Sequence, residues 1–138
     1  MALTGTISEK LKAEPDLIFD GDAMPNSGNT SSDAFRLGGD QGAREIVFEL
    51  DTAFTMTTAT YLQVDIMECA TEAGVYSVLN RAYYTLASGA TVITTATALE
   101  LFRYVIPTDA LEWGKVKVTT TDNMAAETAF CWLTPVSR

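Results

Sequence analysis

Apolar and polar residues alternate with a period of two along most of the chain beyond Arg44. In Glu45-Ile46-Val47-Phe48-Glu49-Leu50, the residues Ile46, Phe48 and Leu50 share one face and Glu45, Val47 and Glu49 the other, the pattern of a half-buried strand. Residues 61–68 repeat it, with Leu62, Val64 and Ile66 opposite Gln63 and Asp65. Further strands are predicted over residues 75–85, over 99–106 where Pro107 closes the run, over 115–121 with Lys115 and Lys117 outward and Val116 and Val118 inward, and over 129–133. Residues 51–60 are dominated by threonine and read as a connection that drops Phe54 onto the end of a core, and Ser88-Gly89 marks a turn.

The first forty residues have no such period, because Pro15, Gly21, Pro25, Asn26, Ser27, Gly28, Asn29, Gly38 and Gly39 interrupt them. They read as an arm, turns and two short strands near residues 17–19 and 34–37. Thr6-Ile7-Ser8-Glu9 has the form of a capping box that would open a short helix carrying Leu11, ended by Pro15. The sum is about eight strands separated by turn signals, the spacing of a sandwich or barrel. Twenty threonines favour the same class, since β-branched residues suit a pleated surface. The chain of 138 residues holds one core rather than two. The expected fold is therefore all-β: a single-domain, jelly-roll-like β-sandwich over residues 17–138, preceded by an N-terminal arm over 1–16, with a simpler sandwich as the alternative.

With 47% hydrophobic and 20% charged residues, the composition is that of a folding domain rather than a disordered one. The net charge of −9 disfavours DNA, RNA and anionic membranes as partners. Lys10/Lys12 and Lys115/Lys117 are the only close cationic pairs, and neither makes a patch along the sequence. No run of about 18 apolar residues is long enough for a membrane helix, and no basic-then-apolar leader pattern opens the chain, so synthesis in a cytoplasm is expected. Cys69 and Cys131 match no metal-ligand spacing; they form one disulfide or none, and buried free thiols are the expectation.

The chain has no histidine, which removes the commonest general base, the Ser-His and Cys-His pairs and the commonest zinc ligand together. Carboxylates are the remaining candidates. Asp16, Asp20 and Asp22 surround Gly21 but lack the later positions of a calcium loop, and read as an Asx-assisted turn. Asp65 with Glu68, or Glu45 with Glu49, have the chemistry of an acid–base pair, yet alternation alone accounts for Glu45 and Glu49 as solvated charges. Gly38-Gly39-Asp40 and Gly42 fit neither GxGxxG nor GxxxxGK[ST], and read as a turn before a strand. No catalytic residue, cofactor or metal ligand is assigned. Among Trp113, Trp132, Tyr76, Tyr83, Tyr84 and Tyr104, which have the chemistry of a sugar-binding face or a protein interface, Trp132 shares its parity with Phe130 and is expected in the core. Trp113, beside Gly114 at a strand entrance, is a core lid or a contact residue.

The order of segments resembles the small jelly-roll cement, or decoration, proteins of certain tailed bacteriophages. Phe19-Asp20-Gly21-Asp22-Ala23, then Asn29-Thr30-Ser31-Ser32-Asp33, then Leu37-Gly38 are similar to that family's opening, although Arg36 stands where the family has an acidic residue. Residues 47–64, with Asp51-Thr52-Ala53-Phe54-Thr55 at the joint, resemble its paired strands; residues 102–107 resemble a short strand ending in Ile-Pro. Residues 115–133, with Thr119-Thr120-Thr121-Asp122-Asn123-Met124 as the bend, resemble its C-terminal hairpin. The likeness runs over roughly residues 17–136 and transfers no contact residue individually.

It implies a structural virion protein, made in the host bacterial cytoplasm, that sits on the outer surface of an icosahedral capsid and ties capsomers together. The implied partners are the major capsid protein and further copies of the chain, a homodimer first and a homotrimer second. Net charge of one sign suits a protein that must stay dispersed at high concentration. Leu3, Ile7 and Leu11, apolar positions in the polar arm, are expected to act as a tether, with Trp113 as a further interface residue. Two competing classes are a carbohydrate-binding jelly roll, which needs exposed aromatics beside Asp and Asn, and a histidine-free hydrolase, which needs two convergent carboxylates in a deep pocket.

Overall fold

The computed structural model describes residues 17–38, 43–50, 55–57, 61–85, 92–94 and 100–135, which form eleven strands and no helix. The arm over 1–16, its proposed helix, Phe54 and the Ser88-Gly89 turn lie outside the described residues. Strands β1 (Leu17–Ala23), β4 (Arg44–Leu50), β9 (Glu100–Val105) and β11 (Thr128–Pro135) build one sheet in the order β1-β11-β4-β9. Strands β2 (Asn26–Ser31), β6 (Tyr61–Cys69), β7 (Ser77–Thr85) and β10 (Trp113–Asn123) build the other in the order β2-β10-β6-β7, with β3 (Phe35–Arg36) also paired to β10. Strands β5 (Thr55–Thr57) and β8 (Val92–Thr94) pair as a small separate ribbon. Every pairing is antiparallel.

Leaving β3 and the ribbon aside, the eight strands taken in chain order lie as 1-8-3-6 in the first sheet and 2-7-4-5 in the second. That interleaving of two Greek keys is a jelly roll. Of consecutive strands in these sheets, β6 and β7 alone pair with each other. The predicted hairpin over 115–133 is thus a crossing between sheets, since β10 lies in one and β11 in the other, and the predicted strand pair over 47–64 is likewise split between them. Between β10 and β11 the chain turns over the edge of the core instead of folding back within a layer.

The core lies between the layers. Phe19, Ile46, Phe48, Leu50, Ala129, Cys131 and Leu133 enter from the first sheet, and Leu62, Val64, Ile66, Val116 and Val118 from the second, as the period-two pattern requires. Phe48 is fully enclosed: its ring stacks on Phe102 at 5.5 Å and meets the edge of Phe19 at 6.3 Å. Tyr84 in β7 donates its hydroxyl to the Leu101 carbonyl in β9 at 3.1 Å, tying the layers across the core. At one end of the core Met24 and Met124 are buried where β1 passes to β2 and β10 to β11, and the two connections bond each other through Met24 N–H to Glu127 O and Met124 N–H to Pro25 O.

The second strand departs from the sequence expectation. Asn26–Ser31 pairs with β10 over Lys117–Asn123, although its composition is that of a turn. Its side chains carry little apolar surface, and the ladder to β10 holds it. Ser32 extends that ladder: its amide donates to Val116 O at 2.9 Å and its buried hydroxyl accepts from Val116 N–H at 3.0 Å. Asp20-Gly21-Asp22 is a bulge inside β1 rather than a turn, with Gly21 at φ +68°, a conformation that favours glycine. At Gly38 a Cβ would collide with the Ala110 and Leu111 carbonyls, so the chain passes that backbone only without a side chain; the turn predicted over Gly39, Asp40 and Gly42 lies outside the described residues.

Both cysteines are free and buried, as expected. Cys131 points into the core, whereas Cys69 lies outside it, with Thr71 and Gly74 of the following turn packed about its sulfur. Burial pushes the Cys131 thiol well above its ordinary range. Below about pH 8 native and unfolded chains both keep this proton; above it the unfolded chain loses a proton that the native state retains. Stability should therefore fall as pH rises through about 8.5, with a slope of up to about 1.4 kcal/mol per pH unit that Cys131→Ala abolishes, measured by urea unfolding between about pH 7 and 9.5. Phe48→Ala should lower the unfolding free energy by about 3–5 kcal/mol in the same assay at pH 7.

Candidate interaction surface

Alternation that sends one set of side chains into the core sends the other set outward, and the two outer faces differ. On the first sheet Glu45, Val47 and Trp132 are buried although they stand outside the inter-sheet core. Trp132 is thus buried on the outer side of its strand, since Ala129, Cys131 and Leu133 occupy the core side; its expected place in the core is corrected by one residue of parity. Glu45 is not a solvated charge. It is 5% exposed and accepts a hydrogen bond from Arg103 of the neighbouring strand at 2.6 Å, while the Arg103 side chain remains about half exposed.

The outer face of the second sheet is open. Pairing sets Lys117 opposite Asp65 and Asp65 opposite Arg81, so β10, β6 and β7 contribute one row of alternating charge. Asp65 is buried at 4% exposure and is gripped by Arg81 through two bonds, from Nε at 2.7 Å and from Nη2 at 3.2 Å, with Gln63 donating a third at 3.1 Å. The carboxylate in turn raises the Arg81 pKa above its ordinary value. One row along, Lys115 stands opposite Met67 and holds its ammonium 4.9 Å from the ring centre of Tyr76. Tyr76 is itself anchored by donating its hydroxyl to Glu72 O at 2.7 Å.

At the end of the same face lies Trp113. It is half-buried, and Arg36 from β3 places its guanidinium 5.3 Å from the indole centre while bridging to Glu112 at 2.5 Å. Trp113 is thus an outer-face residue covered by an arginine, not a lid on the core. At the far end Tyr83, 54% exposed, stacks on Tyr61 with ring centres 5.3 Å apart. Tyr84 and Tyr104 pack against the core, so the aromatic residues named from the sequence do not form one sugar-facing platform. Glu68 accepts the Leu111 amide at 2.9 Å, and Asp65 is taken up by Arg81; the two have separate structural partners.

Four of the chain's cations, Arg36, Arg81, Lys115 and Lys117, therefore share one face, where the linear sequence has only the Lys115/Lys117 pair. The signal that was present is the alternation through Val116 and Val118, which sends both lysines outward. Nothing local indicated that Arg36 and Arg81 would join them. Leu3, Ile7 and Leu11 lie outside the described residues. Among the described residues no group of three His, Cys, Asp or Glu side chains is placed to hold a metal. No family model, no curated protein and no solved structure matches the chain.

The Glu45–Arg103 pair should respond unequally to its two deletions. Glu45→Ala removes a carboxylate from beside an arginine that is half exposed to water, and should cost about 1 kcal/mol or less. Arg103→Met leaves a buried carboxylate without its cation and should cost about 3 kcal/mol. Denaturant midpoints of the two variants at neutral pH check the asymmetry.

Proposed function

We propose that this protein is a cement protein of a tailed-bacteriophage virion, bound to the outer surface of the icosahedral capsid where it ties neighbouring capsomers together. The observation that carries the proposal is the strand order. Segments resembling the cement proteins follow one another along the chain, and they fall in order on β1 to β6 and β9 to β11 of a jelly roll, the architecture that the resemblance implies. The absence of histidine from the whole chain adds support, because a role in contacts makes no use of a general base.

The protein acts through surfaces in this role. Its major capsid protein partner is engaged by many weak contacts, and a homodimer raises their effective concentration. Purified protein mixed with capsids before and after expansion should cosediment with the expanded form and raise the temperature at which it ruptures. Sedimentation with neither form overturns the proposal, and binding to a glycan array in its place would favour the carbohydrate-binding alternative.

A further inference from the structure

We infer that the outer face of the β2-β10-β6-β7 sheet is a docking surface for an acidic segment of a partner protein. The chain carries 18 acidic against 9 basic residues, yet the strand pairings gather four cations on this face, with Asp65 and Glu112 each in an ion pair with one of them. Both carboxylates are engaged: Asp65 by Arg81 beneath the surface, and Glu112 by Arg36 at the end of the sheet. Lys115 and Lys117 make no ion pair among the described residues, and the strand repeat sets them about 7 Å apart with Arg81 about 10 Å across the sheet. Lys115 and Lys117 thus offer two cationic heads without an ion pair, in an arc with the Asp65-bound Arg81, within reach of carboxylates on one short stretch of chain.

The surface between the charges is apolar and aromatic. Met67 lies opposite Lys115, Val78 is 43% exposed beside it, and Trp113 and Tyr83 flank the arc. Such a mixture suits a peptide bearing acidic and apolar side chains together. It suits a nucleic acid poorly, because a long polyanion meets the repulsion of a chain whose net charge is −9, whereas a few carboxylates docked on the face are screened from the rest beyond about 8–10 Å. Two copies apposed about a two-fold axis through this face would bring like charges together, so a symmetric self-contact through it is disfavoured and a different protein is the proposed occupant. The inference stands apart from the cement function; where both hold, this face is the one that receives capsid carboxylates.

The test is a titration of the full chain with a short poly-L-glutamate peptide at low ionic strength, followed by amide NMR shifts. Shifts confined to β6, β7 and β10, lost at high salt and about tenfold weaker in affinity for Lys115→Glu/Lys117→Glu, are the expected result. Should that variant not fold, Lys115→Gln/Lys117→Gln with the same salt series serves, with a weakening of about threefold. Absence of shifts, shifts on the opposite sheet, or binding unchanged by the substitutions overturns the inference. Tighter binding of a thymidine oligonucleotide of equal charge to the same residues overturns it as well, in favour of nucleic acid. In capsid cosedimentation, equal binding by the wild type and the folded charge-reversed variant also counts against the face. Failure of the wild type to bind capsids defeats the cement function alone, since the peptide titration judges the face independently.

Discussion

Phe48 sits where the constraints of the molecule meet. Its ring is enclosed by Phe19 and Phe102 from strands of its own sheet and lies in the layer that Leu62, Val64 and Val118 close from the other. Apolar surface of that size is kept from water only if two sheets are held face to face, and each sheet can offer only every second side chain to the purpose. The chain satisfies both demands by crossing between layers at nearly every connection. Met24 and Met124, bound together through the backbone of their two connections, seal one end of the core where it crosses.

Because the inner positions are taken, the outer positions are left to differ, and they do. On the first sheet the outer residues Glu45, Val47 and Trp132 are buried, and a single arginine compensates the buried charge. On the second sheet the outer residues are cations and exposed aromatics, arranged around a carboxylate that is held below them. Among the described residues, Arg36, Arg81, Lys115 and Lys117 gather there on an otherwise acidic molecule. Stability and recognition thus occupy opposite sides of the same strands: Val116 and Val118 serve the core, and Lys115 and Lys117 the surface.

Turn-like composition is no bar to strand structure where a long neighbour provides the ladder. Asn26–Ser31 has almost no apolar side chain, yet β10 pairs with it, and Ser32 carries the pairing one residue further through its hydroxyl. Thr120 plays a comparable part at the end of the core, where its buried hydroxyl donates to Tyr61 O at 2.8 Å and accepts from the Asp122 amide at 3.0 Å. Hydroxyl side chains at such positions satisfy backbone groups that would otherwise be lost at a sheet's edge.

The all-β class, the inward sets of β4, β6 and β10, and the lack of histidine-based chemistry were determined by the sequence alone, because each depends on residue identity at a spacing of two or on composition. The strand at Asn26–Ser31 was not legible, since its hydrogen bonds come from a partner some ninety positions away rather than from its own propensity. Parity showed that Trp132 and Phe130 share a face but not which face, as that is settled by the layer opposite. Glu45 likewise looked solvated until Arg103 was brought alongside by β9. The gathering of the cations on one face was decided by tertiary structure: antiparallel register brings Arg36 and Arg81 beside Lys115 and Lys117 from three strands, and register between distant strands is not written in any one of them.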